Sequence, residues 1–204
     1  GASGSHELEM QSILIHNGVN LAWPDEVLEE CLHLPDEITA EEIARRRDFR
    51  GITTFTIDPI TAKDFDDALS IRALENGHTE VGVHIADVSH YVKPGTALDK
   101  EAFFRSTSVY LVDRVCPMLP EKLSNELCSL RPHEESLCYS AVFEIDEDHK
   151  VVDRWFGRTV IYSDHRFSYE AAQEVMDTGV GPYVEELNKL NKIARSLRKK
   201  RFRD

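Results

Sequence analysis

The stretch Ala68-Leu-Ser-Ile-Arg-Ala-Leu74, then Glu75-Asn-Gly-His78, then Thr79-Glu-Val-Gly-Val-His-Ile-Ala86 decides the fold. Asn76-Gly77 between two apolar runs is a strong hairpin signal, because both residues tolerate the backbone of a tight turn. Val81, Val83 and Ile85 alternate, which predicts a strand with one buried face. Upstream, residues 53–57 read as a further strand. Downstream, a helix is expected after Gly95, to about Phe104, and a strand through Val109-Tyr-Leu-Val112. A helix over Glu121 to Leu130 follows the turn bounded by Pro117 and Pro120. Leu137 to Ile145 and Val151 to Tyr162 read as a second, longer hairpin that turns at Asp146-Glu-Asp-His149. Two helices come last. One is opened by Ser168 and ended by Gly179; the other places Val184, Leu187, Leu190, Ala194 and Leu197 on one face.

Residues 1–47 read as an acidic helical lead-in. Its helices run from Glu7 to His16, from Pro24 at a first helical position, and from Thr39, with Glu42 three residues on. Hairpin strands flanked by helices predict an α+β fold with a largely antiparallel sheet.

The 204 residues suffice for one sizeable core, and 41% apolar with 30% charged residues is ordinary for a globular domain. No apolar run is long enough to span a membrane, and the Gly1-Ala-Ser-Gly-Ser-His6 start lacks a signal-peptide pattern, so a cytoplasmic protein is expected. That start reads either as a cloning remnant or as native linker. Cys31, Cys116, Cys128 and Cys138 form no C-x-x-C pair and read as buried, reduced thiols. A net charge of −13 weighs against nonspecific nucleic-acid binding, which comes mainly from Lys and Arg on phosphates. The acids are concentrated in residues 25–42, however, and a basic run from Arg195 to Arg203 closes the chain. That run reads chiefly as a solvated helix end.

Asp58, Asp64, Asp66 and Asp67 fall where one strand ends and the next begins. Such a cluster is either a solvated acidic loop or a site for a hard cation such as Mg2+, which prefers carboxylate oxygens. Two details favour the site. Asp58 follows Phe55-Thr-Ile57 and precedes Pro59, and Asp66-Asp67 lead directly into the apolar Ala68-Leu-Ser-Ile71. An EF-hand is excluded because the loop lacks the required Gly and final Glu. Phosphate-binding loops, Gly-x-Ser-x-Gly elbows and His-Glu-x-x-His helices are absent from the sequence. His84, Asp87 and His90 suggest a second, mixed metal site, but a hydrogen-bonded structural His84 is the stronger reading.

Thr56-Ile-Asp-Pro with Ala62-Lys-Asp-Phe-Asp-Asp-Ala-Leu69 resembles the signature of the ribonuclease II / ribonuclease R family of RNB-domain exoribonucleases. Val83-His-Ile-Ala-Asp-Val-Ser-His-Tyr-Val92, Thr107-Ser-Val-Tyr-Leu-Val-Asp-Arg114 and Cys116-Pro-Met-Leu-Pro-Glu-Lys-Leu-Ser-Asn125 match in the same order. The wording is closer to ribonuclease R. The resemblance implies processive, hydrolytic degradation of RNA from its 3′ end to nucleoside 5′-monophosphates, with Mg2+ as cofactor and Mn2+ able to replace it. It implies that Asp58, Asp64 and Asp67 hold metal, that catalysis depends most on Asp66, and that Tyr110 stacks on a base near the 3′ end. It also implies that residues 48–204 are the N-terminal part of a catalytic domain whose later part supplies an Arg for the scissile phosphate. The isolated chain is then expected to be nearly inactive. Single-stranded RNA is the expected partner, and nothing in the sequence calls for an obligate protein partner. The competing reading is an RNB-like segment that binds RNA or protein without catalysis.

Overall fold

The computed structural model describes residues 2–112 and 114–202. Helices α1 (Ala2–His16), α2 (Asp25–Leu32) and α3 (Ala40–Ala44) are followed by strands β1 (Arg47–Asp48), β2 (Thr54–Asp58), β3 (Asp67–Ala73) and β4 (Thr79–Ala86). Helices α4 (Val88–Tyr91) and α5 (Ala97–Arg105) precede the short strands β5 (Val109–Tyr110) and β6 (Val115–Cys116). A wide π-type turn over Lys122–Leu127 leads to β7 (Glu135–Ile145), β8 (Val151–Tyr162) and β9 (His165–Ser168), and α6 (Tyr169–Thr178) and α7 (Val184–Arg201) close the chain. Two units interleave along the sequence: residues 1–36 with 88–124, and residues 37–87 with 125–204.

In the first unit Arg105 ties several pieces together. Its guanidinium lies 3.6 Å from the Trp23 ring centroid, bonds the Ala22 carbonyl at 2.9 Å and pairs with Glu101 on its own helix at 2.9 Å. Glu30 of α2 accepts from the Leu98 amide at 3.0 Å, so α2 caps the start of α5. Strand β5 ends at Tyr110, two residues earlier than expected, because the Leu111 amide turns back to the Arg114 carbonyl at 2.8 Å and the chain returns as β6.

The second unit holds a seven-stranded sheet in the order β1-β8-β7-β4-β3-β2-β9. The inner pairings are antiparallel, whereas the edge pairings β1 with β8 and β2 with β9 are parallel. The expected α+β architecture with a largely antiparallel sheet is therefore what forms. Gly77 sits at φ +84, and the Leu74 amide and His78 carbonyl close the β3–β4 turn at 2.9 Å. Asn76 bonds the His78 amide at 3.0 Å and Glu144 at 2.8 Å, which fixes this hairpin to β7.

One face of the sheet carries the apolar core. Phe55 and Phe167 meet Ala172, Val175 and Leu187 of α6 and α7, while Ile71, Val81 and Ile145 meet Ile193. The apolar face expected for α7 shifts accordingly. Leu187 and Ile193 are buried, but Leu197 stays 41% exposed because the sheet contact follows the i, i+3, i+6 row Leu187, Leu190 and Ile193. Thr39, Ser168 and Gly179 cap their helices as expected: each of the first two accepts from the amide three residues on, and Gly179 takes the left-handed conformation. Pro24 stands at the N-cap itself, one position earlier than expected.

The other face carries a buried polar chain across four strands. Ser70 Oγ lies 2.8 Å from His84 Nε2, His84 Nδ1 lies 2.7 Å from Ser140 Oγ, and Ser140 Oγ lies 2.6 Å from Thr159 Oγ1. A Cβ at position 82 would run into the Ser70 hydroxyl and the His84 ring, so only glycine leaves room for the imidazole.

The candidate active site

The aspartate loop is built by its neighbours. Strand β2 ends at Asp58 and β3 starts at Asp67, so the two outer acids stand at strand ends and the two inner ones on the connecting loop. Pro59 begins a turn closed by the Ala62 amide on the Pro59 carbonyl at 2.9 Å. The Phe65 amide donates to Ser129 Oγ at 3.1 Å, and the Phe65 carbonyl accepts from the Leu130 amide at 2.8 Å. These bonds also explain why Glu121 to Leu130 is not the α-helix expected: Ser129 and Leu130 are drawn onto the loop, and only the π-type turn to Leu127 forms. The Ala86 amide donates to the Asp66 carbonyl at 3.1 Å, fixing the loop to the end of β4.

Charge and burial act together on the acids. Asp58 is buried, and among the described residues its Oδ2 has no hydrogen-bond partner. Desolvation raises its pKa, the charges of Asp67 and Asp64 add to this, and the neighbouring Thr56 hydroxyl and Arg166 guanidinium pull the other way. Asp66 is exposed at the surface, yet the protein packed around its carboxylate raises its pKa, with Asp64, Asp67 and Asp58 each contributing repulsion. The structure thus brings Asp64 and Asp67 within electrostatic reach of both Asp58 and Asp66, and Asp58 within reach of Asp66. Among the described residues, however, no three His, Cys, Asp or Glu side chains are gathered as a metal-binding set. The donors fit a hard divalent cation in kind: they are carboxylates that repel one another, one with an orphaned buried oxygen, and a cation would relieve both conditions.

The sequence reading missed Arg166. Its Nη2 donates to the Pro59 carbonyl at 2.7 Å and the Ile60 carbonyl at 3.1 Å, and its guanidinium lies 5.3 Å from the Phe65 ring centroid. Nothing local marked it, since β9 becomes a neighbour of the loop only by pairing with β2.

Tyr110 lies in the first unit on β5 and is 68% exposed, while Val109 and Leu111 beside it are partly buried, as strand alternation predicts. His84 and Asp87 have separate partners. Asp87 is buried against Arg46 Nη2 at 2.8 Å, with Arg158 Nε at 3.5 Å, while His90 packs edge-on to Tyr91 in the first unit. All four cysteines are buried thiols, and burial pushes Cys128 up to about 12.

Burial also pushes the His84 imidazole down from 6.5 to about 4. The unfolded chain takes up this proton below 6.5 and the folded chain only near 4. The stability owed to the neutral ring is therefore complete at neutral pH and is lost as the pH falls through that window, by on the order of 3 kcal/mol in total. Urea unfolding at pH 7 and pH 5 should show His84→Gln losing about 2 kcal/mol less than the wild type over this interval. Equal losses would show that the imidazole is not held neutral.

Residues 46–204 match the RNB domain, and the chain belongs to that family. It is 44% identical to DIS3-like exonuclease 2 of Xenopus tropicalis, over all of this chain and 27% of that protein. It is 39% identical to ribonuclease R 1 of Lactococcus lactis, over 98% of this chain and 26% of that one. The chain thus spans about a quarter of the length of these relatives. Among solved structures, Mycoplasma genitalium RNase R in complex with ribose-methylated single-stranded RNA superposes with a TM-score of 0.84 at 29% identity, covering 95% of this chain and 31% of that one. Yeast Ssd1, a pseudonuclease, superposes with a TM-score of 0.74 at 30% identity, covering 84% and 21%.

Proposed function

We propose that the protein carrying this chain is a cytoplasmic, Mg2+-dependent exoribonuclease that degrades single-stranded RNA processively from its 3′ end and releases nucleoside 5′-monophosphates, with Mn2+ able to replace Mg2+. The observation that carries this reading is the four-carboxylate cluster of an RNB domain, with the unpartnered buried oxygen of Asp58 at the end of β2. Asp58, Asp64 and Asp67 would hold the cation. The chemistry it supplies when bound is charge stabilisation at phosphate oxygens and a lowered pKa for water. Asp66 orients the terminal nucleotide and the attacking water. Tyr110 offers its ring face to a base near the 3′ end, and such a face accepts any base, as a sequence-indifferent enzyme needs.

The test is incubation of the full-length protein with 5′-labelled, 3′-tailed RNA and Mg2+. Stepwise shortening with release of 5′-monophosphates is expected. The kinship with a pseudonuclease gives the second reading its weight: an RNB-like protein that binds RNA without cleaving it. Binding with no product under any Mg2+ or Mn2+ concentration would establish that reading instead.

Tyr110→Ala in the same protein should leave the chemistry running and lengthen the final undegraded fragment, because a lost base stack costs roughly 1–3 kcal/mol. Gel sizing of the end product reads this directly, and an unchanged length would remove Tyr110 from the site.

A further inference from the structure

We propose that Arg166 is a positioning residue that clamps the aspartate loop in its working geometry, an assignment that rests on the function proposed above. In the parallel pairing of β9 with β2, Arg166 stands opposite Thr56 and Ser168 opposite Asp58. Phe167, the next residue, is buried against Phe55 with ring centroids 5.5 Å apart, so β9 is anchored in the core and Arg166 projects from the opposite face of the strand. From there the guanidinium spans the loop. One nitrogen bonds the carbonyls of Pro59 and Ile60, immediately after Asp58, and the Phe65 ring lies under the guanidinium between Asp64 and Asp66. The loop's other anchors are at its far end, on Ser129, Leu130 and Ala86. Among the described residues, Arg166 is therefore what ties the first half, itself turned by the Ala62 amide on the Pro59 carbonyl, to the sheet.

The geometry argues for support rather than substrate contact. Nη2 is committed to two loop carbonyls, and Nε is buried with no hydrogen-bond partner among the described residues, which turns that edge of the fork away from solvent. A planar guanidinium can bond two carbonyls while stacking on an aromatic ring, whereas a lysine ammonium can supply charge but not the stack.

The experiment compares full-length wild type, R166K and R166M by Mg2+ titration of RNA hydrolysis, by the split between kcat and KM, and by amide hydrogen exchange without RNA or metal. In R166M the half-saturating Mg2+ concentration should rise about 10–100-fold, as when the support of a ligand set is removed. The expected pattern also includes a lower kcat, little change in KM for RNA, and faster exchange at Ala62 and Phe65 with the β7–β8 amides unchanged. R166K should recover part of the Mg2+ affinity and little of the loop protection. An unchanged Mg2+ requirement and unchanged exchange in R166M would overturn the proposal. So would an effect confined to KM, which would make Arg166 a substrate contact. If R166M does not fold, R166K decides by the same readings. Should the wild type itself show no metal-dependent hydrolysis, the function proposed above fails, and the exchange rates still judge the clamp.

Discussion

Replacement of Asp66 by Asn in the full-length protein is expected to lower RNA hydrolysis by on the order of 10²–10⁴-fold, the range that a positioned acid or base contributes, while RNA affinity changes little. Asp66 sits between two strand-anchored acids, its backbone fixed by the Ala86 amide, and its carboxylate feels Asp64, Asp67 and Asp58. The amide of Asn keeps the shape and removes the charge and the capacity to take a proton. Interactions formed only in the transition state change kcat, whereas those shared with the ground state change KM. Single-turnover hydrolysis and equilibrium binding of the same 3′-tailed RNA separate the two. Hydrolysis within tenfold of wild type would remove Asp66 from the catalytic role, and an equal loss of binding would make it a substrate ligand instead.

How far the sequence foretold this arrangement depends on how local each signal is. The β3–β4 and β7–β8 hairpins were legible because alternation and turn chemistry lie within a few residues of each other, at Asn76-Gly77 and at Asp146-Glu-Asp-His149. The caps at Thr39, Ser168 and Gly179 were legible for the same reason. The four acids were visible as a cluster, and their mutual repulsion follows from proximity in the chain. What was hidden depends on pairings between distant segments. Strand β9 is only four residues long and reads as the approach to α6, yet it lies parallel to β2, more than a hundred residues earlier, and brings Arg166 to the loop. The π-type turn at Lys122–Leu127 replaced a helix because Ser129 and Leu130 bond to Phe65, which no periodicity reveals. His84 reads as a metal ligand or a structural residue by pattern. Its hydrogen bonds to Ser70 and Ser140 on neighbouring strands account for both ring nitrogens without a metal.

Removal of one partner of the Arg46–Asp87 pair is expected to destabilise the second unit strongly. Both side chains are almost wholly buried, and Arg46 Nη2 lies 2.8 Å from Asp87 Oδ2. The same guanidinium pairs with Glu42 at 2.8 Å and donates to the carbonyls of Cys138 and Thr159 at 3.2 and 3.4 Å, so it ties α3 to β7 and β8. Asp87 in turn is held by its own amide on the Leu137 carbonyl at 2.9 Å, one residue beyond the Ala86 amide that fixes Asp66. A buried pair gains little over an apolar replacement of both partners, but loss of one partner leaves a poorly solvated charge with weaker support, Glu42 for Arg46 or the half-exposed Arg158 for Asp87, at about 3–5 kcal/mol. Asp87→Ala should cost that much in denaturant unfolding, and Arg46→Met a comparable amount. The double variant should cost clearly less than the sum of the two, since the charges then deprived of this pair are Glu42 and Arg158, both of which can reach solvent. Strictly additive losses would mean that Arg46 and Asp87 stabilise the sheet separately, and that the pair is not what holds the end of β4 beside the aspartate loop.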